Sequence, residues 1–391
     1  MKRNNFTGVV AAVILMTIAS LPCVVFGADT SPPASPVKLV FIHHSTGGNW
    51  LADPDANPLG GGLGIALKNN NYYVSATNYT WGPDNIGDRT DIGNWPEWFI
   101  GENRDTVMAR VYSETGQNII GDFENYGPWQ RLAPAPGGEN QIVMFKSCFP
   151  NSYLRGNPQD PPTTGNNPLY GQGYDSEFMT VANAKGIYND ILTYFTSKQD
   201  KLFIVITAPP QGAFETDAEH AANARAFNNW LVNDWLKNYP YRNVAVFDFY
   251  NVLTSNGGNP DTNDAGQETG NHHRWHNGSV QHIQTLSNNM SSYPSGDSHP
   301  SAAGGQKAAA EFVPLLNYFY NLWKQGGTTA CPGNINGDDK IDLNDVILAL
   351  RILAGVDTGT SIIRLCADVN NDGKIGIEEL IYILQIVAGL R

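Results

Sequence analysis

The sequence predicts an α/β fold built on a mainly parallel sheet, and three observations carry that expectation. Short, continuous apolar runs recur at residues 38–42 (KLVFI), 141–145 (QIVMF), 201–207 (KLFIVIT) and 244–249 (VAVFDF). Runs without polar alternation suit strands covered on both faces, the usual environment of a parallel sheet. Helix-like stretches lie at 179–197, 219–238 and 301–324, and strands alternating with helices build layered α/β sheets. The chain's 391 residues, 41% of them hydrophobic, suffice for one large core and a smaller one.

The first 27 residues read as an export signal. A basic MKRNN precedes an apolar stretch, and Val25 and Gly27 place cleavage before Ala28. An uncleaved anchor is the competing reading. A lipoprotein signal at Cys23 is disfavoured by Pro22, which stands where a small residue is expected. Residues 28–36 form a Pro-rich linker, and no later segment is long and apolar enough to span a bilayer. The expected location is extracellular, with no membrane association after cleavage. The formal charge of -13 and the lack of a basic stripe argue against nucleic acid as a partner.

From 37 to 324 the pattern is α/β, with long loops at 69–103 and 254–294 that suggest functional segments. Residues 325–330 read as a linker. Beyond them, GNINGDDKIDLNDVILALRILAG aligns with ADVNNDGKIGIEELIYILQIVAG. In the second copy Asp368, Asn370, Asp372 and Glu379 occupy places 1, 3, 5 and 12 of an EF-hand loop, with Gly373 at the turn and the Lys374 carbonyl at place 7. In the first copy Asn334, Asn336, Asp338, Lys340 and Asp345 fill these places, and Asp342 takes place 9. Paired Asn/Asp-rich turns capping two helices are the alternative, which the shared spacing disfavours. Cys331 and Cys366 sit at matching places in the two copies and are expected to pair. Cys148 is then left as a buried thiol.

Each copy is a loop followed by one helix, and this duplication over 331–391 resembles a dockerin module. The resemblance implies two Ca²⁺ ions and docking to a cohesin-type domain. Asp339 in place of the turn glycine and Asn334 in place of Asp are departures. The positions often used for cohesin selection fall at Leu343–Asn344 and Ile377–Glu378, which differ between the copies.

Chemistry concentrates where the first apolar run ends, in FIHHSTGG. Parallel sheets present reactive groups at the carboxyl ends of their strands. Ser45 is placed there, with Gly47 and Gly48 allowing close approach of substrate; a helix N-cap is its competing role. Near the far end, Asp297 and His299 precede a long helix. A serine nucleophile needs a base, and the base needs an orienting carboxylate.

That order resembles the SGNH (GDSL-type) hydrolase superfamily, on FIHHSTGG, VITAPPQG, NARAFNNWL and DSHPSAAG. The resemblance implies a three-layer α/β/α fold and ester hydrolysis through an acyl-enzyme on Ser45, with no cofactor for catalysis. His299 is then the base and Asp297 the acid. His44 replaces the family's Asp, and Asp297 lies only two residues before His299 rather than three. For the oxyanion hole the resemblance implies an Asn and a Gly. Asn151 is the candidate, with Ser147 second; Gly87 and Gly93 are candidates for the glycine. The dockerin association points to acylated carbohydrate as substrate.

Other residues carry less. His43 reads as a structural neighbour of the nucleophile turn. His272, His273 and His276 form no clean metal set and read as a solvated or substrate-lining loop. Trp81, Trp95 and Trp98 suit either sugar stacking or packing beneath the first long loop. The resulting expectation is an exported serine esterase with a calcium-binding docking module. The rival is a non-catalytic carbohydrate-binding protein on the same fold.

Overall fold

A computed structural model describes residues 29–120, 125–254, 272–276, 279–282, 289–324, 332–338, 340–356, 358, 363, 367–370 and 374–391. The signal segment, Cys331, Cys366, Asp339, Asp372 and Gly373 lie outside the described residues, as do the expected disulfide and the 325–330 linker.

Five strands, β1 (Val37–Ile42), β2 (Tyr72–Thr77), β3 (Ile142–Phe145), β4 (Leu202–Ile206) and β5 (Val244–Phe247), form one all-parallel sheet in the order β2-β1-β3-β4-β5. Four of them are the apolar runs noted above. The fifth, β2, lies within the stretch expected to be a loop. Its residues YYVSAT are all buried, because the strand pairs with β1 and lies under helices.

Alternate residues of each strand point to opposite faces, and each face has its own core. Val40, Ile42, Val143, Phe145, Phe203, Val205 and Val246 share one with α3 (Trp95–Phe99), α4 (Arg104–Ser113), α5 (Val181–Thr196) and α6 (Ala218–Asn233). Leu39, Phe41, Ile142, Met144, Ile204 and Phe247 share the other with α1 (Ser45–Leu51), α2 (Leu63–Asn69), α7 (Phe249–Leu253) and α8 (Ala302–Lys324). Helices therefore cover both faces.

The strand order reverses between β1 and β3. After β1 the chain adds β2 on one side, then returns to place β3 on the other. Loops leaving the carboxyl ends of β1 and β3 diverge there and open a crevice, the usual ligand position in open parallel sheets. α1 and α8 pack on the same face, and Trp50 of α1 donates to the Gly305 carbonyl in the first turn of α8 at 3.0 Å. That contact draws the segment before α8 to the end of β1.

A hairpin, β6 (His273–His276) with β7 (Ser279–His282), lies in the second long loop. The C-terminal repeat forms α9 (Leu343–Leu353) and α10 (Ile377–Val387), with a small core of Ile335, Val346, Leu348, Ala349, Leu380 and Ile383. Among the described residues no helix is long and apolar enough to cross a membrane.

Candidate active site

β1 ends at Ile42 and α1 starts at Ser45, so His43 and His44 form the whole connection. His44 is the N-cap with extended backbone, and Ser45 is the first helical residue. The glycines that follow serve packing rather than substrate approach. A Cβ on Gly47 would stand 2.4 Å from His43 Cβ, and one on Gly48 2.6 Å from Tyr126 Cβ. Burial pushes the His43 ring down to about 3 and the His44 ring down to about 4, so both are neutral at pH 7.

The structure brings Ser45 and His299 together. His299 Nε2 lies 2.7 Å from Ser45 Oγ. On the other side of the ring, Nδ1 lies 3.0 Å from Asp297 Oδ2. The other Asp297 oxygen accepts the His299 backbone N–H at 2.7 Å. One carboxylate thus grips both the amide and the ring of the residue two places on, which is how the shortened spacing still joins acid to imidazole. Gly296, at φ 111°, supplies the bend that a side chain would resist. Burial opposes the charge on Asp297, but the hydrogen bonds from the His299 ring and amide outweigh it and hold the carboxyl below its ordinary value. An ionised Asp297 fixes the proton on Nδ1 and leaves Nε2 to accept from Ser45.

Cys148, buried as expected, comes from the other side of the crevice. Its Sγ lies 3.4 Å from Ser45 Oγ and 3.1 Å from Thr46 Oγ1.

The expected oxyanion residues are engaged elsewhere. The Gly87 amide donates to the Trp81 carbonyl at 2.8 Å, and its carbonyl takes the His44 Nε2–H at 2.6 Å. Its lack of a side chain serves close packing, since a Cβ would meet the Asn78 carbonyl at 2.1 Å. Asn151 is fully buried, accepting from the Ile92 amide at 2.8 Å and donating to Asp91 at 2.6 Å. Ser147 accepts from Trp95 Nε1, and Gly93 packs against the Leu169 and Gln172 carbonyls.

Tyr79 was not a sequence candidate. It lies two residues past β2, on the strand beside β1. Its ring stacks on His44 at 3.9 Å between centroids, and the side chain and backbone of Ser45 lie near enough to the phenol to favour its ionised form. Burial pushes the phenol well above its ordinary range, so it stays protonated. The available signal was the aromatic and β-branched run YYVSAT, whose recognition as a strand would have put Tyr79 at the sheet's carboxyl edge.

The remaining expectations resolve by burial. Trp95 and Trp98 are fully buried, and Trp81 stacks on Trp98 at 5.8 Å, so these rings pack under the loop. His272 and His273 are buried rather than solvated. Their Nδ1 atoms lie 2.9 and 3.0 Å from the Glu311 carboxylate, which Lys307 also approaches. His276 lies in β6.

In the C-terminal repeat the closing carboxylates of the two loops are held alike. Asp345 accepts from the Ile335, Asn336 and Asp342 amides, and Glu379 from the Val369 and Gly376 amides. Both carboxylates are fully buried. Asn334, Asn336 and Asp338 also take loop amides on their side-chain oxygens, while Asp342 caps α9. Asp368 accepts from the Asn370 amide. The Lys340 and Lys374 carbonyls complete the expected donor set. Among the described residues no group of three or more His, Cys, Asp or Glu is arranged to hold a metal. The donor set of loop one rests instead on amide and backbone oxygens together with its carboxylates, a chemistry that suits a hard cation.

Fold and site together describe a parallel α/β protein with a serine, a histidine and an aspartate in line at its topological switch point. No protein-family model matches the chain, and no curated protein matches it.

Proposed function

We propose that the chain is an exported serine ester hydrolase of SGNH type, with a three-layer α/β/α body. The supporting observation is the unbroken contact from Ser45 through His299 to Asp297 at the end of β1. Ser45 Oγ attacks the ester carbonyl while His299 Nε2 takes its proton. Collapse of the tetrahedral intermediate forms the acyl-enzyme, and His299 returns the proton to the leaving alcohol. Water, deprotonated by His299, then releases the acid and restores Ser45. Asp297 stays ionised and supports the imidazolium. The Tyr79 hydroxyl, beside Ser45, donates to the oxyanion in place of Gly87 and Asn151. The test is hydrolysis of an aryl acetate by the mature protein. Absence of turnover, or turnover equal in Ser45→Ala, defeats the proposal.

The engaged Gly87 amide favours the rival, a non-catalytic carbohydrate-binding protein; turnover lost on Ser45→Ala decides against it.

We also propose that the repeat binds two Ca²⁺ ions as a dockerin-like module that docks a cohesin-type domain. The buried Asp345 and Glu379 carboxylates support this reading, since burying charge without a cation is costly. Calorimetric Ca²⁺ titration of the full chain tests it, with two sites expected.

A further inference from the structure

A cleft of about 480 Å³ opens beside the catalytic array, and its position fixes which part of an ester it can hold. Phe149, which lines it, packs edge-on against the His299 ring at 5.1 Å. Glu215, also in the lining, accepts from the hydroxyl of Ser298, the residue before His299. The cleft therefore flanks His299 and not the Tyr79 side of Ser45. The imidazole delivers its proton to the leaving oxygen, so the alcohol part of the ester belongs on this flank.

The lining identifies the alcohol. Tyr174 is 49% exposed, and Phe214, beside Glu215 in sequence, is 66% exposed. Such exposed rings are suited to stacking on the apolar face of a pyranose. Arg155, Asp175, Gln211 and Glu215 also line the cleft. Gln211, largely buried, adds an amide to this polar lining. Together these side chains offer both donors and acceptors to the hydroxyls of a sugar. A long acyl chain would leave these polar groups desolvated, which is unfavourable. Two carboxylates against one guanidinium, on a chain of net charge -13, also disfavour uronates and other anions.

We infer that this cleft seats a neutral, hydroxyl-rich glycan as the alcohol part of the substrate, an inference that rests on the esterase reading. The test separates binding from turnover by using the full chain carrying Ser45→Ala. Xylohexaose, mannohexaose and trigalacturonic acid are titrated by calorimetry. Saturable binding of a neutral oligosaccharide is expected, weakened about tenfold or more when Tyr174→Ala is added. The melting temperature of the double variant checks that it is folded. A repeat with Gln211→Ala, also expected to weaken binding, provides a second variant. Binding of no neutral oligosaccharide, tighter binding of the galacturonate, or affinity unchanged in both added variants would overturn the inference. Failure of the esterase reading shows separately, as absent aryl acetate turnover in the unmodified protein.

Discussion

The two halves of the proposed catalytic array are built differently. The Ser45 half is part of the core: His43, His44, Ser45 and Thr46 are all buried, wedged between β1, Tyr79 and Cys148. The Asp297–His299 half is a local structure at the solvent edge, with the Asp297 side chain 56% exposed and held by a hydrogen-bond loop two residues long. Ser45 is therefore fixed by packing, and His299 by a short polar clasp. Changes that alter the packing around Ser45 should disturb folding as well as chemistry, whereas changes near Asp297 should disturb chemistry more than folding.

The largest expected effect is at Ser45 itself. Ser45→Ala should lower aryl acetate turnover by on the order of 10⁴-fold or more, with the melting temperature little changed. Asp297→Asn comes next, at about 10²-fold, because water at this exposed edge offsets part of the lost carboxylate. A loss as large as that of Ser45→Ala would show that the two halves are not graded by burial. Tyr79→Phe removes one donor and keeps the ring on His44. It should lower kcat about tenfold to a hundredfold with KM little changed, and an unchanged kcat removes Tyr79 from the oxyanion role. Gly47→Ala sharpens the contrast, since its Cβ collides with His43. Urea unfolding should show a loss of about 1–3 kcal/mol, where a change at the exposed Ser295 should show almost none.

Acid separates the halves as well. His43 and His44 protonate in the folded state only near 3 and 4, while the unfolded chain takes up those protons from 6.5 downward. Stability should therefore fall as pH drops from about 6.5 to about 4, at up to roughly 1.4 kcal/mol per pH unit for each ring. The depressed Asp297 carboxyl contributes stability above its unfolded value and loses it only as pH falls through its lower folded value. Denaturant midpoints at pH 7, 5 and 4 measure the first effect. Midpoints that stay flat down to pH 4 contradict the buried, neutral state of the two histidines.

Much of this arrangement is local and could be read from residue order. Strands β1, β3, β4 and β5 show as continuous apolar runs because both sides of the sheet are covered. The two twelve-residue loops show as repeats because their donors follow one another along the chain. β2 was not legible: Ser75 and Thr77 dilute its apolar pattern, and they are buried only because helices close over the sheet. The roles of Gly87 and Asn151 were not legible either. A glycine that admits a neighbouring carbonyl and one that offers its amide to a ligand look the same in sequence.

By itself, then, the sequence determined the parallel α/β class, the position of Ser45 at the end of β1, and the spacing of the two repeated loops, all of which depend on periodicity or near neighbours. Only the tertiary structure decided which side chains surround Ser45. Placing Tyr79 on His44, Cys148 beside Thr46, and His299 against a serine 254 positions away depends on strand order and on the packing of α1 against α8. Those contacts arise from burial summed over both faces of the sheet, a quantity that no short stretch of residues contains.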